Sequence, residues 1–318
     1  MVYHPRTKSI QQPNKGDETV SRTVLVFVKQ VPDTQNITGD AMTPEGTVNR
    51  SALPAIFNPE DLNALEMALQ LKDRFGVRVT VATMGPPKAS EILRDCLCRG
   101  ADDAILLTDR AFAGADTLAT SYALSCCASK LMGDVALVLC GRQAIDGDTA
   151  QVGPQLAEKL KVPQICYAEE VLDLTDNGVT VRRKINGGYE VLKSPLPALL
   201  TVVDSNSPRP MAARRVMKFK RAKTPSEIRM ALGGCNNADP AAVEAEAIRL
   251  KEKGLLITEW SALDAGADLS RTGMAGSPTK VKQVMSVVLT AGEAQQIEPT
   301  ADGINALMHE LIADHTLG

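Results

Sequence analysis

DVALVLCGRQAIDGDTAQVGPQLAEKL, residues 134–160, decides how this chain is read. The apolar run Val135–Leu139 is a short buried strand, the chain then turns through Gly141 and Gly147, and an amphipathic helix begins near Ala150. Strand, glycine-containing loop and helix in that order suit a nucleotide. Glycine lets the backbone approach a ligand closely, and the free amides and dipole of a helix N-terminus favour phosphate. The same spacing also fits an ordinary strand-to-helix connection with Asp148 or Thr149 as its N-cap, and that alternative stands beside the first. Neither GxGxxG nor GKS/GKT is present, so the loop is not the dinucleotide fingerprint and not a Walker A loop.

Working outward, Val24–Val28 is a continuous apolar run, the pattern of a strand covered on both faces. Lys29 and Gln30 follow it, at the strand end where such sheets bind ligands. Residues 31–59 are rich in turn formers and suit a loop or small hairpin. Asn58 or Pro59 opens a helix with Glu60 and Asp61 in its first turn and Leu62, Leu65 and Leu69 near helical spacing, and Gly76 ends it. Val77–Thr83 is a second strand, followed by the turn Gly85-Pro86-Pro87 and a helix from Ala89 to Arg99 that Gly100 stops. Ala104–Leu107 is a third strand, and Asp116 is placed to cap a helix running to Leu131, with Thr117 and Thr120 in its first turns. This alternation predicts a doubly wound, mostly parallel α/β sheet with helices on both sides.

Beyond residue 160 the pattern changes. Val179–Ile185 and Tyr189–Lys193 flank Asn186-Gly187-Gly188, a hairpin signal, and Leu199–Val203 is a further strand. Arg209–Lys223 is basic, with Arg214, Arg215, Lys218, Lys220, Arg221 and Lys223, and reads either as a solvated face or as a partner surface. The remainder has a helix from Pro240 to Lys253 stopped by Gly254, glycine-rich loops and a terminal helix from Asp302 to Ile312. It is expected to be a partner-binding arm whose core lies in another chain. The domain organisation read here is a flexible extension over 1–22, a nucleotide-binding α/β domain over 23–225 and the arm over 226–318.

The whole chain has 318 residues, 44% hydrophobic and 23% charged, enough for one large domain and an appendage. A net charge of −3 without a basic block interleaved with aromatics gives no reason to expect nucleic acid. The seven cysteines match no zinc spacing and lie mostly in apolar stretches, which points to reduced thiols in a cytoplasmic protein. The three histidines, His4, His309 and His315, lie near the ends, so a central histidine triad or metal site is not expected. Residues 1–20 lack a signal-peptide run, and no stretch is long and apolar enough to insert in a membrane.

GRQAIDGDTAQVGP, Gly141–Pro154, resembles the nucleotide loop of the β subunit of electron transfer flavoproteins. VFVKQVPDT at 26–34, FNPEDLNALEMALQLKD at 57–73 and ATMGPP at 82–87 resemble the same family, in the same order. So do DRAFAGADTLATS at 109–121, RRKINGGYEVLKSPLPALLTV at 182–202 and GMAGSPTKV at 273–281. The resemblance implies an adenine-nucleotide-binding (α-hydrolase-like) α/β fold and a heterodimer with an electron transfer flavoprotein α subunit. It implies electron transfer rather than bond-making chemistry, with a nucleotide held by this chain. FAD, which takes hydride from NADH and splits its electrons between two acceptors, is the preferred occupant; structural AMP is the alternative. By the same resemblance Phe27 would lie beside the adenine, Lys29 and Asn58, Pro59, Glu60 and Asp61 near the ligand, and Met84 and Gly85 in its turn. Gly141, Arg142, Gln143, Ala144, Ile145, Asp146, Gly147, Asp148, Thr149, Ala150, Gln151 and Val152 would surround ribose and phosphates. Asp116, Thr117 and Thr120 would lie close to a flavin. The redox partner implied is an acyl-CoA dehydrogenase-type or quinone-reductase protein. The loop that docks some members on their dehydrogenase corresponds to Asp204–Pro210, DSNSPRP, which lacks the leucine those members insert. A non-redox nucleotide-binding module of the same sheet type is the other class considered.

Overall fold

The computed structural model of the chain describes residues 22–33, 54–203, 207–233, 238–279, 296–314 and 316. The expected extension over 1–22 therefore lies, but for Arg22, outside the described residues, as does part of the loop after Val203.

β1 (Thr23–Phe27) occupies the middle of the sheet, parallel to β4 (Arg78–Met84) on one side and β6 (Val135–Gly141) on the other. Its side chains alternate between the two cores. Val24 and Val26 pack with Leu65, Leu69 and Leu93, while Leu25 and Phe27 pack with Leu107, Cys127, Val138 and Leu156. Both faces are thus covered, which is why the strand reads as an unbroken apolar run. Each fully buried Val or Leu of this kind contributes about 1.5–3 kcal/mol.

α1 (Pro59–Phe75) leads from β1 to β4. It opens with proline and two acidic residues, and it ends where Gly76 adopts φ 69° and donates its amide to the Lys72 carbonyl. α2 (Ser90–Arg99) leads to β5 (Asp103–Leu107), and α3 (Thr117–Leu131) carries the chain back across β1 to β6. Chain connections therefore leave β1 and β6 in opposite directions. The crevice at their carboxyl ends is the topological switch point, where open α/β sheets bind ligands. Where a loop or a small hairpin was expected, β2 (Gln30–Pro32) and β3 (Ala55–Phe57) form a short antiparallel pair, and residues 34–53 between them lie outside the described residues.

After α4 (Val152–Leu160) come β7 (Gln164–Thr175), β8 (Gly178–Ile185) and β9 (Gly188–Ser194), an antiparallel meander. Gly187 turns between β8 and β9 with φ 78°. β10 (Ala198–Val202) then inserts in parallel between β6 and β7. The expected doubly wound, mostly parallel fold with a hairpin excursion is the fold observed.

The packing does not break at residue 225. α5 (Ala213–Phe219), α6 (Pro225–Ala231) and α7 (Pro240–Glu252) lead to β11 (Thr258–Trp260), which adds a parallel strand at the β5 edge. Leu250, Leu255 and Ile257 are buried in the same core as Val24 and Leu65. The described residues up to 279 form one compact unit and those from 296 onward belong to a second. Ile228, Leu250, Leu255 and Ile257 of the expected arm accordingly pack in this chain's own core. In the second unit α8 (Ala301–Ala313) spans the helix expected over 302–312, with Ile304, Met308 and Ile312 exposed on one stripe. Among the described residues no helix is long and apolar enough to cross a membrane. The six described cysteines are free thiols, and burial pushes Cys127 up to about 12.

Candidate functional site

The first turn of α1 and the loop after β6 are laced together at the switch point. Asn58 precedes α1 but does not cap it. Its side chain, wholly buried, donates to the Gln143 carbonyl at 2.9 Å and accepts the Ile145 amide at 3.2 Å. Glu60 accepts the Arg142 guanidinium at 2.6 Å and the Gln143 amide at 3.1 Å. The bond to Glu60 raises the Arg142 pKa above its ordinary value, so the guanidinium stays ionised. Asp61 accepts the Lys29 amide through one oxygen and the Gly141 amide through the other, both at 2.9 Å. One carboxylate thus ties the carboxyl ends of β1 and β6. Burial pushes that carboxyl up to about 7, against the opposing pull of Asn58, the two amides and Lys29.

Lys29 reaches over the crevice and donates to both oxygens of Asp146 at 2.8 Å. The amides of Gly147 and Asp148 turn back to the Ala144 carbonyl at 3.3 and 3.0 Å, and Gln143 donates to the Asp148 carboxylate at 2.8 Å. Two residues without the freedom of glycine then hold left-handed backbone, Asp148 at φ 48° and Ala150 at φ 52°. Such residues are strained by on the order of 1–2 kcal/mol each. The helix expected near Ala150 starts at Val152, and the residue before it, Gln151, has right-handed φ −99° and gives no side-chain cap. Neither Asp148 nor Thr149 caps the helix as the alternative reading required. Among the described residues, no acceptor is found for the amides of Thr149 to Gly153.

The N-terminus of α3 faces this loop. The Thr117 hydroxyl donates to Gln151 at 2.8 Å and accepts Gln155 at 3.4 Å, and Ser121 donates to Gln155 at 3.1 Å. Asp116 caps α3 by accepting the Ala119 amide at 3.0 Å, and its other oxygen accepts the Thr279 amide at 3.0 Å. Burial alone would raise the Asp116 carboxyl, but these amides outweigh it and hold it below the usual aspartate range. Its own amide donates to the Ser277 hydroxyl at 2.8 Å. Asp116 thereby fastens residues 273–279 to the edge of the crevice.

Lys29, Asn58, Glu60, Asp61, Thr117 and the 141–151 loop are therefore brought together. Phe27 is not: its side chain is packed in the core, and the residue is 4% exposed, so only its strand-end backbone faces the crevice. Met84 packs against the second core, the Gly85 amide is spent on the Leu107 carbonyl, and the Thr120 amide on the Asp116 carbonyl within α3. Sequence reasoning did not single out Gln155, Ser277 or Thr279. For the latter two the signal was the GMAGSPTKV string at 273–281. Among the described residues no group of three or more His, Cys, Asp or Glu side chains is arranged to hold a metal.

Amides with no acceptor among the described residues stand at this helix start, after left-handed Asp148 and Ala150 and right-handed Gln151, and backbone of this kind suits phosphate oxygens. The family described as "Electron transfer flavoprotein domain" matches residues 45–225. The "Protein FixA" of Sinorhizobium fredii is 41% identical over 91% of this chain and 92% of its own length. The "Electron transfer flavoprotein subunit beta" of Clostridium acetobutylicum is 39% identical over 92% of this chain and 98% of its own. The "Caffeyl-CoA reductase-Etf complex subunit CarD" of Acetobacterium woodii is 52% identical over 61% of this chain and 73% of its own.

Proposed function

This chain belongs to the electron transfer flavoprotein family, and from that premise we propose that it holds an FAD in the crevice between β1 and β6. It works as the β-type subunit of a cytoplasmic heterodimer with an α subunit. The pair passes electrons from NADH or a dehydrogenase to downstream acceptors. The observation that carries this reading is the start of α4, with no cap, two left-handed residues before it and the amides of Thr149 to Gly153 open to an anion. Gly141 to Val152, with Lys29, would hold the phosphates, and Thr117 and Thr120 would lie toward the flavin. A methyl added at Gly147 would meet nothing within 4 Å, so the space beside the loop is open at this residue. FAD supplies the redox chemistry, accepting hydride and releasing single electrons; the chain's part is to bind, orient and exclude water.

The names of two relatives, a caffeyl-CoA reductase–Etf complex subunit and an acryloyl-CoA reductase electron transfer subunit of Anaerotignum propionicum, support a CoA-ester reductase or dehydrogenase as redox partner. The exposed stripe of α8 supports its packing against the α subunit. The face formed by α5 and the turn after it, bearing Arg214, Lys218, Lys220 and Arg221 around Met217, suits an acidic partner surface. Reversing three of these charges (K218E/K220E/R221E) is expected to raise the KM for an acyl-CoA dehydrogenase by about tenfold or more and to flatten its dependence on salt.

Denaturing the purified heterodimer and quantifying its nucleotides tests the cofactor. Two FAD and no AMP is the expected result. One FAD and one AMP would keep electron transfer but remove hydride acceptance from this chain, and no nucleotide in this chain would overturn the reading of the crevice.

A further inference from the structure

Arg209 closes on a single carboxylate of α1 with both its side chain and its backbone. Its Nε and Nη2 donate to the two oxygens of Glu66 at 2.9 Å each, and its amide donates to the same carboxylate at 2.9 Å. Nη1 takes Asp73 of α1 at 2.9 Å, and Arg99 of α2 donates to the Arg209 carbonyl. The Glu66 side chain is only 6% exposed, between Leu65 and Leu69 of the core. Burying a carboxylate there costs several kcal/mol, and a complete set of charge-assisted hydrogen bonds does little more than offset it. An apolar contact would stabilise as well. What the ion pair adds is one defined geometry for the segment that carries Arg209.

That segment leads into the basic face. α5 itself hangs on α2: Arg215 donates to the carbonyls of Leu97 and Ala101 at 2.7 and 2.6 Å, and Phe219 is buried. The approach to α5, residues 207–211, is held by Arg209. Met211, on that approach, is 45% exposed, and Met217, 62% exposed, stands beside Arg214 and Lys218. Flexible thioethers within a basic rim can adapt to an acidic protein surface. The Asp61 brace and the Glu66 clamp lie five residues apart on one helix, about 7.5 Å along its axis.

We propose that Glu66 is a positioning residue for partner docking: by gripping Arg209 it sets residues 207–211, the approach to α5, and with them the exposed Met211. The proposal rests on the reading of α5 as a docking face. It assigns Glu66 a role in the encounter, none in holding nucleotide.

The test uses the complete heterodimer, with an acyl-CoA dehydrogenase that supports turnover of the wild type. Glu66→Gln is expected to raise the KM for the dehydrogenase by about fivefold or more, leaving kcat at saturation and nucleotide content unchanged. Arg209→Lys, which keeps the charge but loses the planar fork, should show a smaller rise, and it carries the test if Glu66→Gln fails to accumulate. If K218E/K220E/R221E raises KM while Glu66→Gln and Arg209→Lys do not, the clamp is overturned and the docking face stands. If the triple variant leaves KM unchanged, the docking face falls and the proposal with it. Loss of nucleotide in Glu66→Gln would also overturn it, since the effect would then run through α1 to the crevice.

Discussion

Gly141→Ala should unseat the loop from the sheet. A Cβ at this position would lie 2.6 Å from the Glu60 carbonyl carbon and 2.7 Å from the Asp61 amide nitrogen and carboxylate. The first two are backbone of the first turn of α1 and cannot swing aside, and the third, the buried Asp61 carboxylate, is held by the Lys29 and Gly141 amides. Nor can the strand end retreat, because Gly141 pairs with Val202 and the next amide, of Arg142, donates to the Val202 carbonyl at 2.9 Å. Overpacking of this kind costs about 1–3 kcal/mol, at the upper end when backbone must move. The same displacement would break the bonds of Glu60 and Asp61 to the loop, and nucleotide should be lost with them. Gly147→Ala is the control. Its added methyl meets nothing, so stability should stay within about 0.5 kcal/mol while any ligand filling that space is weakened. Urea midpoints and nucleotide content of the two variants separate a fold effect from a site effect. A wild-type midpoint for Gly141→Ala would show that α1 and β6 do not approach as closely as described.

The sequence carried the sheet where burial is continuous and lost it where burial is borrowed. β1, β4 and β6 read as apolar runs because helices cover both their faces, and Gly76 and Gly187 mark real left-handed turns. β11 has no such run; Thr258–Trp260 becomes a strand only by pairing with β5. The 209–223 stretch looked uniformly basic, yet Arg209 and Arg215 find their partners more than 100 residues away, at Glu66, Leu97 and Ala101. In the crevice, the glycines marked the loop that follows β6. The late start of α4 could not be read, since its cause is left-handed backbone at an aspartate and an alanine. Asn58 stood in the sequence only as a possible start of α1, and its side chain serves as a bridge to residues 143 and 145.

Asp61→Asn should change both the stability and its dependence on pH. The aspartate satisfies two amides from different strands, whereas the carboxamide oxygen that replaces it is suited to only one of the pair. The orphaned amide, buried beneath the loop, costs about 1–3 kcal/mol. The pH dependence follows from where the proton sits. In the folded chain burial holds the carboxyl up to about 7, while in the unfolded chain it titrates near the ordinary aspartate value of about 4. Between those values the folded state binds the extra proton. The group's contribution to stability is therefore fully present below about pH 4, is lost as the pH rises through about 7, and is constant above. Asparagine has no such proton, so the stability gap between wild type and variant should be wider at pH 5 than at pH 8. Comparing the gap, rather than either protein alone, cancels the titration of carboxylates that both share. A gap that widens toward pH 8 would mean that the two amides, Asn58 and Lys29 outweigh burial and keep the brace ionised. The crevice would then be spaced by a permanent charge between β1 and β6, instead of by a group whose protonation changes within the neutral range.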